Sequence, residues 1–256
     1  MKKIALVPVF NEAKNIISVL TELEGYVDEI LIVNDGSWDR TEPLVTAWLE
    51  RGRRGRLITL SKNHGNAGAV MAGYAFIDLR LHAGTVSPQD VVITIDADGQ
   101  HKPGDVPRLL AFMVENDLDF VRGKRRFEKY PRHKIIGNKL LSALLSPAAG
   151  VKLADAMSGY CLQRAYTIPP LLDYVTAYRY SLQGEMAVIL PRLGYRTADG
   201  PAIDILYFQS HTRYRDALIN VVLGMAALAR VKLGLKSRRH QRGIDRHAEE
   251  EKRRAA

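Results

Sequence analysis

The sequence contains almost no cysteine, and its histidines have no regular spacing. Cys161 is the single cysteine among 256 residues, so an intrachain disulfide is impossible and a disulfide-stapled secreted scaffold is excluded. A thiol without a paired motif predicts a buried, inert side chain. The seven histidines show no H-x-x-x-H or similar ligand spacing, which argues against a zinc site.

Long apolar runs are also missing. Ile4–Phe10 follows two lysines, as in a signal peptide, but the run ends after seven residues and therefore predicts a buried strand. Ala217–Ala229 would form a helix of about 20 Å, whereas a bilayer core is about 30 Å thick. A spanning length would also bury Arg230 and Lys232, so we predict an interfacial helix with these cations facing anionic lipid. A core helix of the domain is the alternative that the sequence leaves open.

Positively charged residues outnumber negatively charged ones in the sequence. The formal net charge is +9 and the pI is about 9.6, while 46% hydrophobic residues are typical of a folded globular chain. Residues 236–256 hold eight of the Lys and Arg residues against four acidic ones. Such a tail is either solvated, or binds an anionic membrane surface or nucleic acid. The apolar run before it favours binding to the membrane. We therefore predict a domain over residues 1–215, and an interfacial helix and basic tail over 216–256.

Short β-rich runs alternate with helical patterns in the first half of the chain, which predicts an α/β fold with a mostly parallel sheet. The predicted strands are 4–9, 29–33, 56–60, 91–95, 119–123 and 203–208. The predicted helices are 13–23, 41–51, 67–81, 106–115, 134–145, 165–175 and 184–193.

Acidic side chains follow three of the predicted strands. Glu12 comes after the first strand, Asp35 after the second, and Asp96 and Asp98 after the fourth. Because ligands of open α/β sheets bind outside the carboxyl ends of the strands, these side chains should meet at one edge. Two carboxylate groups suit a hard cation, Mg²⁺ or Mn²⁺, that is completed by substrate phosphates and water.

Six segments together resemble the family 2 glycosyltransferases of GT-A fold, especially the dolichyl-phosphate or polyprenyl-phosphate mannose synthase-like branch. In chain order they are VPVFNEAKNI at 7–16, VNDGSWDRT at 33–41, NHGNAGAVMAGY at 63–74, DADGQHKP at 96–103, DAMSGY at 155–160 and GEMAV at 184–188. The resemblance covers about residues 3–210. It implies a Rossmann-like GT-A sheet flanked by helices, ahead of the C-terminal apolar helix and basic tail.

The resemblance also implies roles for individual residues. The residues that would contact the base, the ribose or the donor are Pro8, Phe10, Glu12, Asp35 and Ser158. Those that would hold the metal are Asp96, Asp98 and Gln100, with Asp98 counted as catalytic. A cation on the leaving diphosphate neutralises its developing charge.

The acceptor side is where the sequence departs from the family. Tyr160 and Cys161 replace the usual Phe-Arg, and the segment around Arg213 replaces R-x-x-G-x-S-K. The basic segment after the metal motif predicts a phosphate cradle, and the resemblance favours three of its residues: Arg122, Lys124 and Arg132. An ionised lipid phosphate needs no strong general base; for a hydroxyl acceptor the candidate base is Asp155.

These patterns predict a metal-dependent, inverting glycosyltransferase. It would move mannose or glucose from a GDP- or UDP-linked donor to a polyprenyl phosphate, as a peripheral protein at the cytoplasmic membrane face. A separate membrane subunit or a homo-oligomer is open, and no nucleic-acid partner is expected. The alternatives are a transferase of the same fold that acts on a sugar, glycerate or polysaccharide hydroxyl, and a non-enzymatic basic module that binds nucleic acid.

Overall fold

One seven-stranded sheet organises this computed structural model, which describes residues 1–126, 130–177, 181–205 and 214–236, with side chains of the last helix from 219 onward. The strands are β1 (Lys3–Val9), β2 (Glu29–Asn34), β3 (Gly55–Thr59), β4 (Val91–Thr94), β5 (Phe120–Arg125), β6 (Cys161–Arg164) and β7 (Thr197–Ile203). Their order across the sheet is β3-β2-β1-β4-β6-β5-β7. Only β6 runs antiparallel to its neighbours, so the predicted mostly parallel α/β sheet is confirmed.

Helices cover both faces of the sheet. They are α1 (Ile16–Leu23), α2 (Thr41–Leu49), α3 (Gly65–His82), α4 (Val106–Glu115), α5 (Arg132–Ala149), α6 (Ile168–Tyr174), α7 (Leu182–Arg192) and α8 (Tyr214–Leu233). Helices α1, α2 and α4 pack on one face, and α3, α5, α6, α7 and α8 on the other. Side chains alternate between the two faces along β1. Ala5 and Val7 pack under α1, α2 and α4, whereas Ile4 and Leu6 pack on the opposite face.

Two strands differ from the sequence prediction. β6 was not predicted, because four residues carry too little periodicity. The strand predicted over 203–208 is wrong in its position, since β7 ends at Ile203; residues 206–208 lie outside the described residues. β7 contains Gly200 and Pro201, which are typical of turns, and as an edge strand it tolerates them.

The inner face of α8 belongs to the core. Ala227 is fully buried, and Gly224 allows close approach to α5, since a Cβ there would lie 2.5 Å from Leu145 Cδ2. Arg230 Nη2 donates to Glu185 Oε2 of α7 at 2.7 Å. The prediction that Arg230 faces lipid is therefore wrong, because this guanidinium points into the protein. No helix in the described part of the chain is long and apolar enough to cross a membrane.

Glu185 also organises the segment that leads into α7. Its buried carboxylate accepts the backbone N–H groups of Thr176 and Ala177 at 2.8 and 3.1 Å, and the Ser181 hydroxyl at 2.7 Å. The Glu185 carboxylate therefore binds both Arg230 of α8 and the segment that leads into α7.

Candidate active site

The carboxyl ends of β1, β2 and β4 meet at one edge of the sheet, as their parallel pairing requires. Asp96 and Asp98 follow β4 directly, and Glu12 follows β1. Burial raises the pKa of Glu12, and the charges of Asp98 and Asp96 raise it further, against a hydrogen bond from Asn15. The carboxylates predicted to converge are therefore electrostatic neighbours.

Asp98 and Gln100 form a compact turn beside Asp96. Gln100 donates its backbone N–H to Asp98 Oδ1 at 2.9 Å and its side-chain amide to Asp98 Oδ2 at 2.8 Å. Burial raises the pKa of Asp98, and the negative charge of Asp96 raises it further. Burial likewise raises the pKa of Asp96. Two carboxylates that oppose each other's ionisation form a site that a divalent cation would stabilise.

The donor set at this edge fits Mg²⁺ or Mn²⁺ rather than zinc, which prefers nitrogen and sulfur ligands. It offers two carboxylates and one amide, which are oxygen donors. No group of three or more His, Cys, Asp and Glu side chains within the described ranges could hold a metal ion. A site with two protein carboxylates is sufficient for these two cations, because substrate phosphates and water normally supply the other ligands.

Four residues from other elements surround Asp96. Asn66, at the start of α3, donates its side-chain amide to Asp96 Oδ1 at 3.1 Å, and Gln183 Nε2 of α7 donates to the Asn66 side-chain Oδ1 at 3.5 Å. His101 Nδ1 lies 3.5 Å from Asp96 Oδ2, and burial lowers the pKa of this histidine to about 4. Gly159 is the fourth neighbour: a Cβ there would lie 3.2 Å from Asp96 Oδ2. The missing side chain leaves room for the Asp96 carboxylate.

Replacing Gly159 with alanine should lower the predicted sugar-transfer activity about tenfold without unfolding the protein. The added methyl group would press on Asp96 and shift it by a few tenths of an ångström, and small displacements in a site reduce rates strongly. Steady-state transfer assays and thermal unfolding measure the two effects. Gly25→Ala is the matched control, since its Cβ would meet only ordinary contacts, 3.5 Å from Glu22 O. Equal activities of the two variants would contradict the crowding of Asp96.

Asp35 follows β2 directly, and one of its two carboxylate oxygens has no hydrogen-bond partner among the described residues. Its Oδ1 accepts the His64 N–H at 2.7 Å, while its buried Oδ2 has no partner among the described residues. Burial raises the pKa of Asp35 despite that bond. An unpartnered buried acceptor calls for a ligand donor or water. Pro8 is buried inside β1, and Phe10 is exposed beyond its end, so Phe10 is the better placed of the two to meet a ligand.

A polar clasp joins the loops after β1 and β2. Asn11 donates its backbone N–H to Ser37 Oγ at 2.9 Å, and its side chain accepts the Trp38 N–H at 3.0 Å. Asn11 has a φ of 55°, a left-handed conformation that asparagine tolerates better than most residues. The clasp fixes the exposed Phe10 beside Asp35 at the ends of paired strands.

Asp155 is fully buried and bound to Arg125. The Arg125 guanidinium donates to both Asp155 oxygens at 2.7 Å, and Asn138 bonds both partners at 3.1 Å. Burial alone would raise the pKa of Asp155, but Arg125 outweighs it and lowers that pKa. This geometry argues against the predicted role of Asp155 as a general base, because the carboxylate is fully buried and its lowered pKa makes it a weaker base. Asp155 instead positions Arg125, whose charge acts on Asp96.

The three cations predicted to cradle a phosphate differ in position. Arg122 is buried and donates to Asp199 Oδ1 at 2.7 Å, so its guanidinium is held against β7 and the predicted phosphate contact is contradicted. Lys124 and Arg132 are exposed, and their phosphate contact stays a prediction. Ser158 is buried, and its hydroxyl has no partner among the described residues; its contact with the donor stays a prediction.

Sequence reasoning missed Asn66, His101, Arg125 and Gln183 as neighbours of the carboxylate pair. Asn66 and His101 were in recognised segments and Arg125 was in the basic segment, so all three had a signal without an assigned role. Gln183 had no signal beyond its place directly before the segment at 184–188. The predicted acceptor segment around Arg213 lies outside the described residues, as does the basic tail after Lys236.

The comparisons with known proteins agree with this geometry. The family model described as Glycosyl transferase family 2 matches residues 4–166. The chain is 26% identical over 232 residues to the UDP-N-acetylglucosamine–dolichyl-phosphate N-acetylglucosaminyltransferase of Methanococcus voltae, covering 84% of this chain and 90% of that protein. It is 28% identical over 212 residues to the undecaprenyl-phosphate mannosyltransferase of Micrococcus luteus, covering 78% and 82%.

Other matches are shorter or structural. An uncharacterised protein of Methanocaldococcus jannaschii is 37% identical over 146 residues, which span 57% of this chain and 61% of that protein. Among solved structures, glucosyl-3-phosphoglycerate synthase from Mycobacterium tuberculosis, in complex with Mn²⁺, UDP-glucose and phosphoglyceric acid, has a TM-score of 0.65. It is 19% identical, with 89% of this chain and 80% of that chain covered. This likeness confirms the predicted GT-A-type fold.

Proposed function

Because the chain belongs to glycosyl transferase family 2, we propose that it transfers a hexose from a nucleoside-diphosphate sugar to a polyprenyl phosphate. The observation that carries this proposal is the carboxylate pair Asp96 and Asp98 at the carboxyl edge of the sheet. Both pKa values are raised, and the paired Arg125 lies on the same side. Relatives that act on dolichyl or undecaprenyl phosphate support the acceptor class.

Asp96, Asp98 and Gln100 would hold Mg²⁺ or Mn²⁺, which supplies charge neutralisation on the leaving diphosphate. Mn²⁺ accompanies UDP-glucose in the complex of the mycobacterial synthase, which supports the choice of cation. Asn66 fixes one Asp96 oxygen by a hydrogen bond, so the other remains for the cation and for His101. The side chains therefore orient the site before the donor arrives.

The loops after β1 and β2 would bind the nucleotide. Asp35 offers one unpartnered carboxylate oxygen to a donor group of the base or ribose. Phe10, held next to it by the Asn11 clasp, offers an exposed ring on which a base can stack. Glu12, whose pKa is raised by burial and by the charge of Asp98, would contact the ribose.

A phosphate acceptor fits the site better than a hydroxyl acceptor. The phosphate oxygen is already ionised at neutral pH, so attack on the anomeric carbon requires no base, and Asp155 is unable to serve as one. Attack opposite the leaving diphosphate would invert the configuration. Lys124 and Arg132 are the exposed cations that would meet the phosphate, with Arg125 contributing charge behind them.

The acceptor lipid places the reaction at a membrane surface. We assign residues 1–215 to the catalytic domain and residues 216–256 to an interfacial helix and basic tail at the cytoplasmic face, with the inner face of that helix packed on the domain. The exposed outer face of α8 supports this assignment, because Val222, Met225 and Leu233 are large apolar side chains in solvent.

Thermal unfolding with UDP or GDP, each with and without Mn²⁺, tests the donor side. At about 100 times its dissociation constant, the correct diphosphate should add about 2.7 kcal/mol, which raises the Tm by roughly 5 to 10 °C. We expect this increase only when Mn²⁺ and a nucleoside diphosphate are present together. Only one of the two diphosphates, UDP or GDP, should produce it. Transfer to undecaprenyl phosphate, compared with phosphoglycerate, then tests the acceptor. Product formed on phosphoglycerate alone would refute the lipid phosphate.

A further inference from the structure

Three large apolar side chains are exposed on α5, and the proposed function assigns them no role. Along the outer face of α5, Ile136, Leu140 and Leu144 follow each other at intervals of four residues, and all three are exposed; Leu140 is 58% exposed. This spacing places them in one row on the helix. A row of large apolar side chains in water marks a surface that another body covers.

The outer face of α8 continues this row. Val222 and Met225 are exposed, at 57% and 48%. Helices α5 and α8 touch where Gly224 meets Leu145, and the exposed Met225 and Leu144 are the immediate chain neighbours of these contact residues. The two helices are packed against each other, and we call their exposed faces together the α5–α8 face.

Charge at the α5–α8 face has one sign. Arg132 and Lys139 are exposed on α5 and Lys232 on α8. Helix α5 contains no acidic residue, and neither does the described part of α8 from Ile219 onward. Two buried acidic groups bond to the inner sides of these helices: Asp155 to Asn138 of α5 and Glu185 to Arg230 of α8. Asp173 of α6 pairs with Lys236, beyond the end of α8, at 2.8 Å. Apolar side chains flanked by cations are complementary to an anionic lipid surface.

We propose that the α5–α8 face docks on an anionic bilayer, with Ile136, Leu140, Leu144, Val222 and Met225 inserted at the headgroup level. The choice of a bilayer as the occupant rests on the proposed lipid-phosphate acceptor as well as on the charge. Arg132 begins α5 and follows β5, the strand that carries Arg125, so docking through α5 brings the acceptor side of the active site to the lipid. The membrane contact thus includes a helix within the domain, besides α8.

Co-sedimentation of the full chain with vesicles tests this proposal. The probes are vesicles of phosphatidylcholine alone and of phosphatidylcholine with phosphatidylglycerol. We expect binding to the anionic vesicles, and at least a tenfold weaker binding for the double variant Leu140→Glu/Leu144→Glu. Val114→Glu is the matched control, because Val114 is also 50% exposed but belongs to α4 on the opposite face of the sheet. Its binding should equal that of the unmodified chain.

Several outcomes would overturn the proposal. They are binding retained by the double variant, equal binding to neutral vesicles, or no binding by the unmodified chain. A dimer that becomes monomeric in the double variant, seen by sedimentation velocity without vesicle binding, would assign the face to a second copy. If the double variant fails to fold, Val222→Glu/Met225→Glu replaces it. The Mn²⁺-dependent Tm increase with nucleoside diphosphate, measured on the same variants, separates loss of docking from failure of the proposed function.

Discussion

Asp98→Asn should reduce sugar transfer about a thousandfold and remove the Mn²⁺-dependent stabilisation by nucleoside diphosphate. The substitution keeps the size of the side chain but removes one of the two carboxylates that would hold the cation. Loss of transition-state charge stabilisation of about 4 kcal/mol corresponds to this factor. Steady-state transfer at saturating Mn²⁺ gives the rate, and thermal unfolding gives the binding.

The metal-free form of Asp98→Asn should be at least as stable as the unmodified chain. Burial and Asp96 raise the pKa of Asp98, so its charge opposes folding at neutral pH, and its removal relieves that opposition. Asp28→Asn is the control, because Asp28 precedes β2 at the opposite edge of the sheet and is partly exposed. A Mn²⁺-dependent Tm increase that survives Asp98→Asn would refute the metal assignment.

Asp155→Asn should destabilise the protein by about 3 to 5 kcal/mol, which lowers the Tm by roughly 10 °C. Asparagine keeps the shape of the side chain but leaves the Arg125 guanidinium buried without its counter-charge. Urea unfolding at pH 7 measures the free energy. Transfer activity should also fall, since Arg125 loses its fixed position near Asp96.

The loss should depend on pH with a defined sign. The Arg125 charge and hydrogen bonds lower the pKa of Asp155 in the folded state, against burial. Its contribution is therefore complete above the unfolded-state pKa, near 4, and disappears as the pH falls through the lower folded value. Asp204→Asn breaks the exposed Arg126–Asp204 pair and should change stability by no more than about 1 kcal/mol. Equal losses in the two variants would refute the buried pair as a stabilising element.

The strands and the metal edge of this fold could be predicted from sequence because both depend on local patterns. β1, β2 and β4 are continuous apolar runs buried on both faces, and the acidic residues that follow them are fixed at one edge by parallel pairing alone. The positions of Asp96 and Asp98 could be predicted from the strand directly before them, without any information on residues distant in sequence.

Long-range pairing was beyond the sequence. The sequence did not show that Asp155 pairs with Arg125, which lies 30 residues away, or that Arg122 pairs with Asp199, which lies 77 residues away. It also did not show that Arg230 pairs with Glu185, 45 residues away, so Arg230 was predicted to face lipid. Each error concerned a charged residue whose partner is brought close only by the folded sheet and its helices.

The contact between Arg230 and Glu185 determines where this chain can be cut. A protein shortened after residue 215 would lose the guanidinium that balances a fully buried carboxylate, and would uncover Leu145 where Gly224 now lies. Removal of one partner of a buried pair is strongly destabilising. Loss of vesicle binding by such a fragment would therefore report unfolding rather than a missing membrane anchor. The proposed membrane contact is better tested by substituting single side chains in the intact chain than by truncation.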